Sequence, residues 1–263
     1  MKTYRYVTLD PTGNLTCLVL DPVDPSEKET LTRKLLAVCE QVAYLEPPAR
    51  PEAVAAVRLM GGEFCGNASM AAAAWLVRDE LPQGETKTLL LEVSGAVNPV
   101  RCTVRKTQDG FEGTVEMPGD FEIGEEIICG IPFTVVRMEG IVHLVCETQT
   151  FEQKEAEKLL RKLAGLLPDD AVGLLQWNSA RRFLLPLVFV RGSDSVVWEH
   201  GCGSGSAAVG ALETLRNGKA TTVSVEQPGG VIHVSADSEN GTVTAIFITG
   251  QIRIKDESTV SIQ

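Results

Sequence analysis

The chain has 263 residues, of which 44% are apolar and 22% charged, the make-up of a globular protein with one large domain or two of ordinary size. A formal charge of −11 argues against nucleic acid, which needs a basic footprint, and against an anionic membrane surface. No basic segment leads into an apolar run, and the 7 cysteines are odd in number and lack paired metal-type spacing, so the expectation is a cytoplasmic protein with reduced thiols.

In chain order, Tyr4–Leu9 and Asn14–Asp21 read as strands around the turn Asp10-Pro11-Thr12-Gly13. Ser26–Cys39 places Leu31, Leu35, Leu36 and Val38 at helical spacing, with Ser26 as its N-cap. Gln41–Leu45 and Ala53–Leu59 read as strands. Gly61-Gly62-Glu63-Phe64-Cys65 then opens a helix through Arg78, and strands follow at Thr88–Val93, Pro99–Lys106 and Gly110–Met117. A second round begins after Pro118-Gly119, with strands at Ile131–Met138 and Ile141–Cys146 and a strong helix at Glu152–Leu166. Ala171–Gln176 and Phe183–Arg191 are strands, a helix runs from the second cysteine phrase to Asn217, and strands close the round at Ala220–Glu226, Val231–Ala236 and Thr242–Thr249. Gly250–Gln263 reads as an extra strand pair that packs back on the first round.

The two rounds repeat one another. Cys65-Gly66-Asn67-Ala68-Ser69 matches Cys202-Gly203-Ser204-Gly205-Ser206, each before an alanine-rich stretch. Gly13-Asn14-Leu15-Thr16 matches Gly140-Ile141-Val142-His143, and Glu112-Gly113-Thr114-Val115 matches Asn240-Gly241-Thr242-Val243. The expected architecture is α+β: a domain over 1–117 completed by 250–263, a second over 118–249, and an active site in the cleft between them. A cysteine just ahead of small residues that open a helix sits where amide N–H groups and the helix dipole favour an anion, and thiolate over thiol. Two such cysteines make a two-base site. The remaining five, Cys17, Cys39, Cys102, Cys129 and Cys146, lie in strand or helix patterns and read as ordinary packed thiols.

On these motifs the chain resembles the diaminopimelate epimerase fold family of cofactor-independent racemases and epimerases. The resemblance rests on Gly13-Asn14, Cys65-Gly66-Asn67, Gly140-Ile141-Val142-His143, Cys202-Gly203-Ser204-Gly205 and the proline-rich segment after Gln41, and covers nearly the whole length. It implies two pseudo-symmetric domains, each a curved sheet wrapped on a central helix, and a homodimer. Ile141, Met70 and Ala171 stand where that family has Asn, Arg and Asn, and Val190-Arg191-Gly192 matches its Glu-Arg-Gly only loosely. A second amino-carboxylate on the substrate loses partners at such positions, each worth about 1–3 kcal/mol, which counts against diaminopimelate. The Gly-Asn-Leu-Thr opening, Glu40-Gln41 and Trp198-Glu199-His200-Gly201-Cys202 look more like the histidine racemase branch known from opine-metallophore pathways.

Racemising an amino acid means removing the α-proton from one face and returning one to the other, work suited to two tuned thiols. Cys65 and Cys202 are the candidate acid and base. The resemblance places His143 beside a catalytic thiol, where it can accept a proton and tune it; Glu199, three residues before Cys202, can orient or deprotonate that thiol or sit solvated at a strand end. Backbone amides of Gly66, Asn67, Gly203 and Ser204 are placed to hold the α-carboxylate. Asn14 and Gln41 are candidates for the ammonium or side chain, Asn14 being equally a turn residue, and Glu40 for an imidazole N–H or else a surface charge. No cofactor or metal is expected, since no dinucleotide, pyridoxal phosphate or ligand-cluster context is present. Two alternatives stay open: a diaminopimelate epimerase or a related isomerase shifting a proton within an unsaturated acid, and a non-catalytic amino-acid-binding protein.

Overall fold

The computed structural model describes residues 1–262, the side chain of Ser193 excepted. The chain divides into two compact units, Met1–Glu116 together with the segment from Thr249 onward, and Met117–Ile248. The first unit carries β1 (Lys2–Pro11), β2 (Thr16–Val19), α1 (Pro25–Leu35), β3 (Gln41–Glu46), β4 (Ala55–Leu59), α2 (Gly66–Val77), β5 (Thr86–Val93), β6 (Val100–Thr107) and β7 (Gly110–Glu116). The second carries β8 (Glu122–Ile128), β9 (Ile131–Met138), β10 (Ile141–Cys146), α3 (Gln153–Leu166), β11 (Ala171–Asn178), β12 (Phe183–Val190), β13 (Ser195–Trp198), α4 (Gly203–Asn217), β14 (Thr221–Gln227) and β15 (Gly230–Glu239). A long last strand, β16 (Thr242–Ile262), starts in the second unit and finishes in the first.

The strand order repeats. In the first unit β1/β2 is antiparallel, β2/β3 parallel, β3/β4 antiparallel, β4/β5 parallel and β5/β6 antiparallel. In the second, β9/β10, β10/β11, β11/β12, β12/β14 and β14/β15 run through the same series. Each sheet curves around one helix. Every residue of α2 from Gly66 to Trp75 is buried, and α4 is buried along most of its length, so neither helix shows the polar stripe of a surface helix. The strands facing them alternate: Val100, Cys102 and Val104 point inward on β6 with Arg101 and Arg105 outward, and Ile232, Val234 and Ala236 do the same on β15. Close approach explains two glycines. A Cβ on Gly113 of β7 lies 2.8 Å from Met70 Cβ of α2, and one on Gly210 of α4 lies 2.4 Å from Val234 Cγ1 of β15. The other helix of each unit is amphipathic. Leu31 and Leu35 of α1 pack with Tyr4, Val19 and Val42, and Ala156, Leu160 and Leu163 of α3 pack with Val142, Leu174 and Leu187.

Several expectations need correction. Helix α1 ends at Leu35 rather than Cys39 and is capped by Asp24, whose carboxylate takes the Ser26 N–H at 2.9 Å and the Ser26 hydroxyl at 2.6 Å. Strands β8 and β13 were not anticipated. The extra strand pair proposed for Gly250–Gln263 is instead the continuation of β16, which pairs with β1 (Lys2↔Ile262); Gln263 itself lies outside the described residues. Gly250 marks a close approach and not a turn, since a Cβ there lies 2.6 Å from Thr12 Oγ1. Cys129 is exposed, in a turn with φ of 56°, and not in a strand.

Candidate active site

Each cysteine phrase folds into the same local device. Cys65 and Cys202 are the N-cap residues of α2 and α4, in extended backbone (φ −136° and −96°), and each sulfur accepts a helix amide: Ala68 N–H at 3.5 Å and Gly205 N–H at 3.2 Å. A serine one turn on locks each cap, Ser69 Oγ donating to the Cys65 carbonyl at 2.8 Å and Ser206 Oγ to the Cys202 carbonyl at 2.7 Å. The first-turn amides and the positive end of the helix dipole therefore converge on each sulfur. Gly66 and Asn67, both buried, open the first turn of α2, and buried Gly203 and half-buried Ser204 open that of α4.

Around Cys65, its thiol donates to Gln41 Oε1 at 3.3 Å; Gln41 Nε2 donates to Thr16 Oγ1 at 2.7 Å, and Thr16 Oγ1 to the Asn14 carbonyl at 3.0 Å. Asn14, Thr16 and Gln41 are buried, held in register by the parallel pairing Thr16↔Gln41. Glu40 is half-buried, its N–H bound to the Leu15 carbonyl at 2.8 Å. The structure thus brings Asn14, Gln41, Gly66 and Asn67 to the neighbourhood of Cys65 through one hydrogen-bonded chain and one helix turn.

Around Cys202, Ser204 Oγ stands 3.6 Å from the sulfur and 2.9 Å from Nε2 of His143 on β10. His143 is wholly buried, and burial pushes its pKa down to about 3, so the ring is neutral. Burial pushes the Cys202 thiol well above its ordinary value; the Glu199 carboxylate, which accepts the thiol hydrogen, adds to the rise, while Ser204 and the Gly205 amide oppose it. Glu199 follows β13 and is fixed by its N–H to the Pro186 carbonyl at 3.1 Å. Cys202 is therefore held as a protonated thiol beside the Glu199 carboxylate, with Ser204 Oγ and the Gly205 N–H close to its sulfur.

Two residues escaped the sequence. Gln227, buried at the end of β14, accepts the Cys202 N–H at 2.7 Å and donates to Ser206 Oγ at 2.8 Å. Gly173 on β11 leaves room for the His143 ring. Neither carries a local signal; only the folded strands place them here. Of the other cysteines, Cys17, Cys39, Cys102 and Cys146 are buried in core or strand positions. Among the described residues no group of three or more His, Cys, Asp or Glu could hold a metal, and no helix is long and apolar enough to cross a membrane.

The fold is that of the racemases and epimerases: a hydroxyproline epimerase from Agrobacterium vitis, solved with bound trans-4-hydroxy-L-proline, superposes with a TM-score of 0.73 at 14% identity, over 98% of this chain and 92% of that one. The chain belongs to the family described as the histidine racemase CntK N-terminal domain, whose profile matches residues 3–260. It is 29% identical over 255 residues to a histidine racemase of Staphylococcus aureus, covering 89% of each chain. It is 24% identical over 273 residues to a histidine racemase of Fusobacterium nucleatum, covering 100% of this chain and 98% of that one. Fold and family together make it an isomerase with racemase function.

Proposed function

We propose that the chain racemises free histidine with Cys65 and Cys202 as acid and base on opposite faces of the α-carbon. The observation that carries this reading is the twice-built cap: two sulfurs, each at a helix N-terminus and each fed by a helix amide. The family and the names of both relatives support histidine as the substrate.

In this mechanism one cysteine, as thiolate, takes the α-proton while the other, as thiol, delivers its proton to the opposite face. The roles exchange with the handedness of the substrate. When Cys202 is the base, its proton passes first to the Glu199 carboxylate that already accepts it. The α-carboxylate is held by the first-turn amides at Gly66, Asn67, Gly203 and Ser204, whose dipoles also stabilise the carbanion as charge flows toward the carboxylate. The amide oxygens of Asn14 and Gln41 take the ammonium, and Glu40 pairs with the imidazole N–H. No external electron sink enters these steps.

Incubation of the purified chain with L-histidine in D₂O tests this directly. The expected product is a mixture of both enantiomers carrying α-deuterium. Absence of exchange with histidine and with every other standard amino acid rejects the racemase reading; tight binding without exchange points to a binding protein instead.

A further inference from the structure

Strand β11 crosses the core of the second unit with a single residue that has no side chain, Gly173, between buried Val172 and Leu174. Its φ lies outside the left-handed region, so the backbone does not require glycine, and glycine inside a strand weakens it. The reason is steric. A Cβ at 173 falls 2.2 Å from His143 Nδ1 and 2.8 Å from Cε1, across the parallel pair His143↔Gly173. The matching pair in the first unit is Thr16↔Gln41, where the small partner lies on the first strand and the large one on the second. Each unit thus admits one long polar side chain at this pair. Gln41 reaches its cysteine directly; His143 reaches Cys202 through Ser204.

We propose that Gly173 is a positioning residue for Cys202: the space left by its missing side chain seats the His143 ring so that Nε2–H donates to Ser204 Oγ and the Ser204 hydroxyl donates to the sulfur. The inference rests on the role proposed for Cys202. The direction of the chain follows from the other ring nitrogen. Nδ1 is sealed from solvent and, among the described residues, has no hydrogen-bond partner. A buried N–H without an acceptor is less tolerable than a buried lone pair without a donor, so the proton of the neutral ring sits on Nε2. Ser204 Oγ then accepts from the ring and turns its own hydrogen to Cys202 Sγ, which also receives the Gly205 N–H. His143 acts as a fixed donor, and the thiol proton leaves in the other direction, to Glu199. The Ser204 backbone amide remains available to substrate while its hydroxyl serves the thiolate.

The test is alkylation of the full chain by iodoacetamide, followed cysteine by cysteine through peptide mass spectrometry, alongside kcat and KM in both directions. A hydrogen bond to a charged partner is worth tenfold or more in equilibrium terms, so in Gly173→Ala we expect Cys202 alkylation and kcat to fall about tenfold, with KM within about twofold. Cys65 alkylation stays at the parent rate and serves as the internal control. Ser204→Ala, which keeps the ring seated and removes the relay, slows Cys202 to the same degree, and the two changes together add nothing further. If Gly173→Ala does not fold, Gly173→Ala with His143→Ser, which removes the clashing ring, is expected to fold and to alkylate as slowly as Ser204→Ala. The proposal is overturned if either single variant leaves Cys202 alkylation unchanged, if Gly173→Ala slows both cysteines equally, or if the double variant also fails to fold. Should the parent chain not racemise at all, the racemase reading fails, and the contrast between the two cysteines still decides the role of Gly173.

Discussion

Gln227→Ala removes the acceptor of the Cys202 N–H, at 2.7 Å, and the donor to Ser206 Oγ, at 2.8 Å, in a position that is only 3% exposed. Leaving a buried donor without its partner costs about 1–3 kcal/mol. The serine keeps its bond to the Cys202 carbonyl, so its own loss is the smaller one. Together with the space vacated by the amide, the expected destabilisation is about 2–4 kcal/mol, a sizeable share of the roughly 5–15 kcal/mol that holds an ordinary domain together. Because the lost bond fixes the N-cap itself, kcat should fall along with stability. Urea unfolding at constant m-value measures the first and coupled-assay kinetics the second. In a double-mutant cycle with Ser206→Ala the two changes are expected to couple by about 0.5–3 kcal/mol. A midpoint of unfolding and a turnover both equal to the parent's would refute the reasoning that the buried amide holds the cap.

Three further outcomes are expected. Glu199→Gln removes a charge that holds the Cys202 thiol up, so Cys202 alkylation at neutral pH should speed up while racemisation slows for want of a proton acceptor; racemisation at the parent rate would deny Glu199 the base's role, and slower alkylation would contradict the charge argument. The pKa of His143 is about 3 in the folded chain against 6.5 for a free imidazole, so between those values the unfolded chain binds a proton that the folded chain refuses. The stability from this site is complete above about pH 6.5 and is lost as pH falls toward 3, by as much as about 4–5 kcal/mol. The parent's unfolding free energy should therefore drop more steeply with acid than that of His143→Asn, and equal slopes would contradict the burial argument. Gly210→Ala, ordinarily a gain of about 1 kcal/mol in a helix, should instead cost about 1–3 kcal/mol because its methyl meets Val234, and Val234→Ala in the same chain should recover it.

What could be read from the sequence was local or repeated. The paired cysteine phrases marked both helix N-caps because each puts a cysteine ahead of small residues that open an alanine-rich, helix-forming stretch. The doubled Gly-x-x-[Thr/His] openings marked the strands that carry Thr16 and His143. Strand β8 was missed because Glu122, Glu125 and Glu126 leave it exposed along its length, with no inward apolar face to set a period of two. The unbroken run of β16 was missed because Gly250 has the look of a turn, whereas it is there to let Thr12 come close. Gln227 and Gly173 were invisible for a different reason: their neighbours at the site are 21 or more residues away, so only the folded chain brings them together.

The most direct measurement compares Cys65→Ser and Cys202→Ser with each enantiomer of histidine in D₂O. Each variant is expected to lose net inversion, while wash-in of deuterium survives for one enantiomer only, a different one for each variant. Inversion at the parent rate in either variant, or exchange that survives for the same enantiomer in both, contradicts the opposed-thiol account.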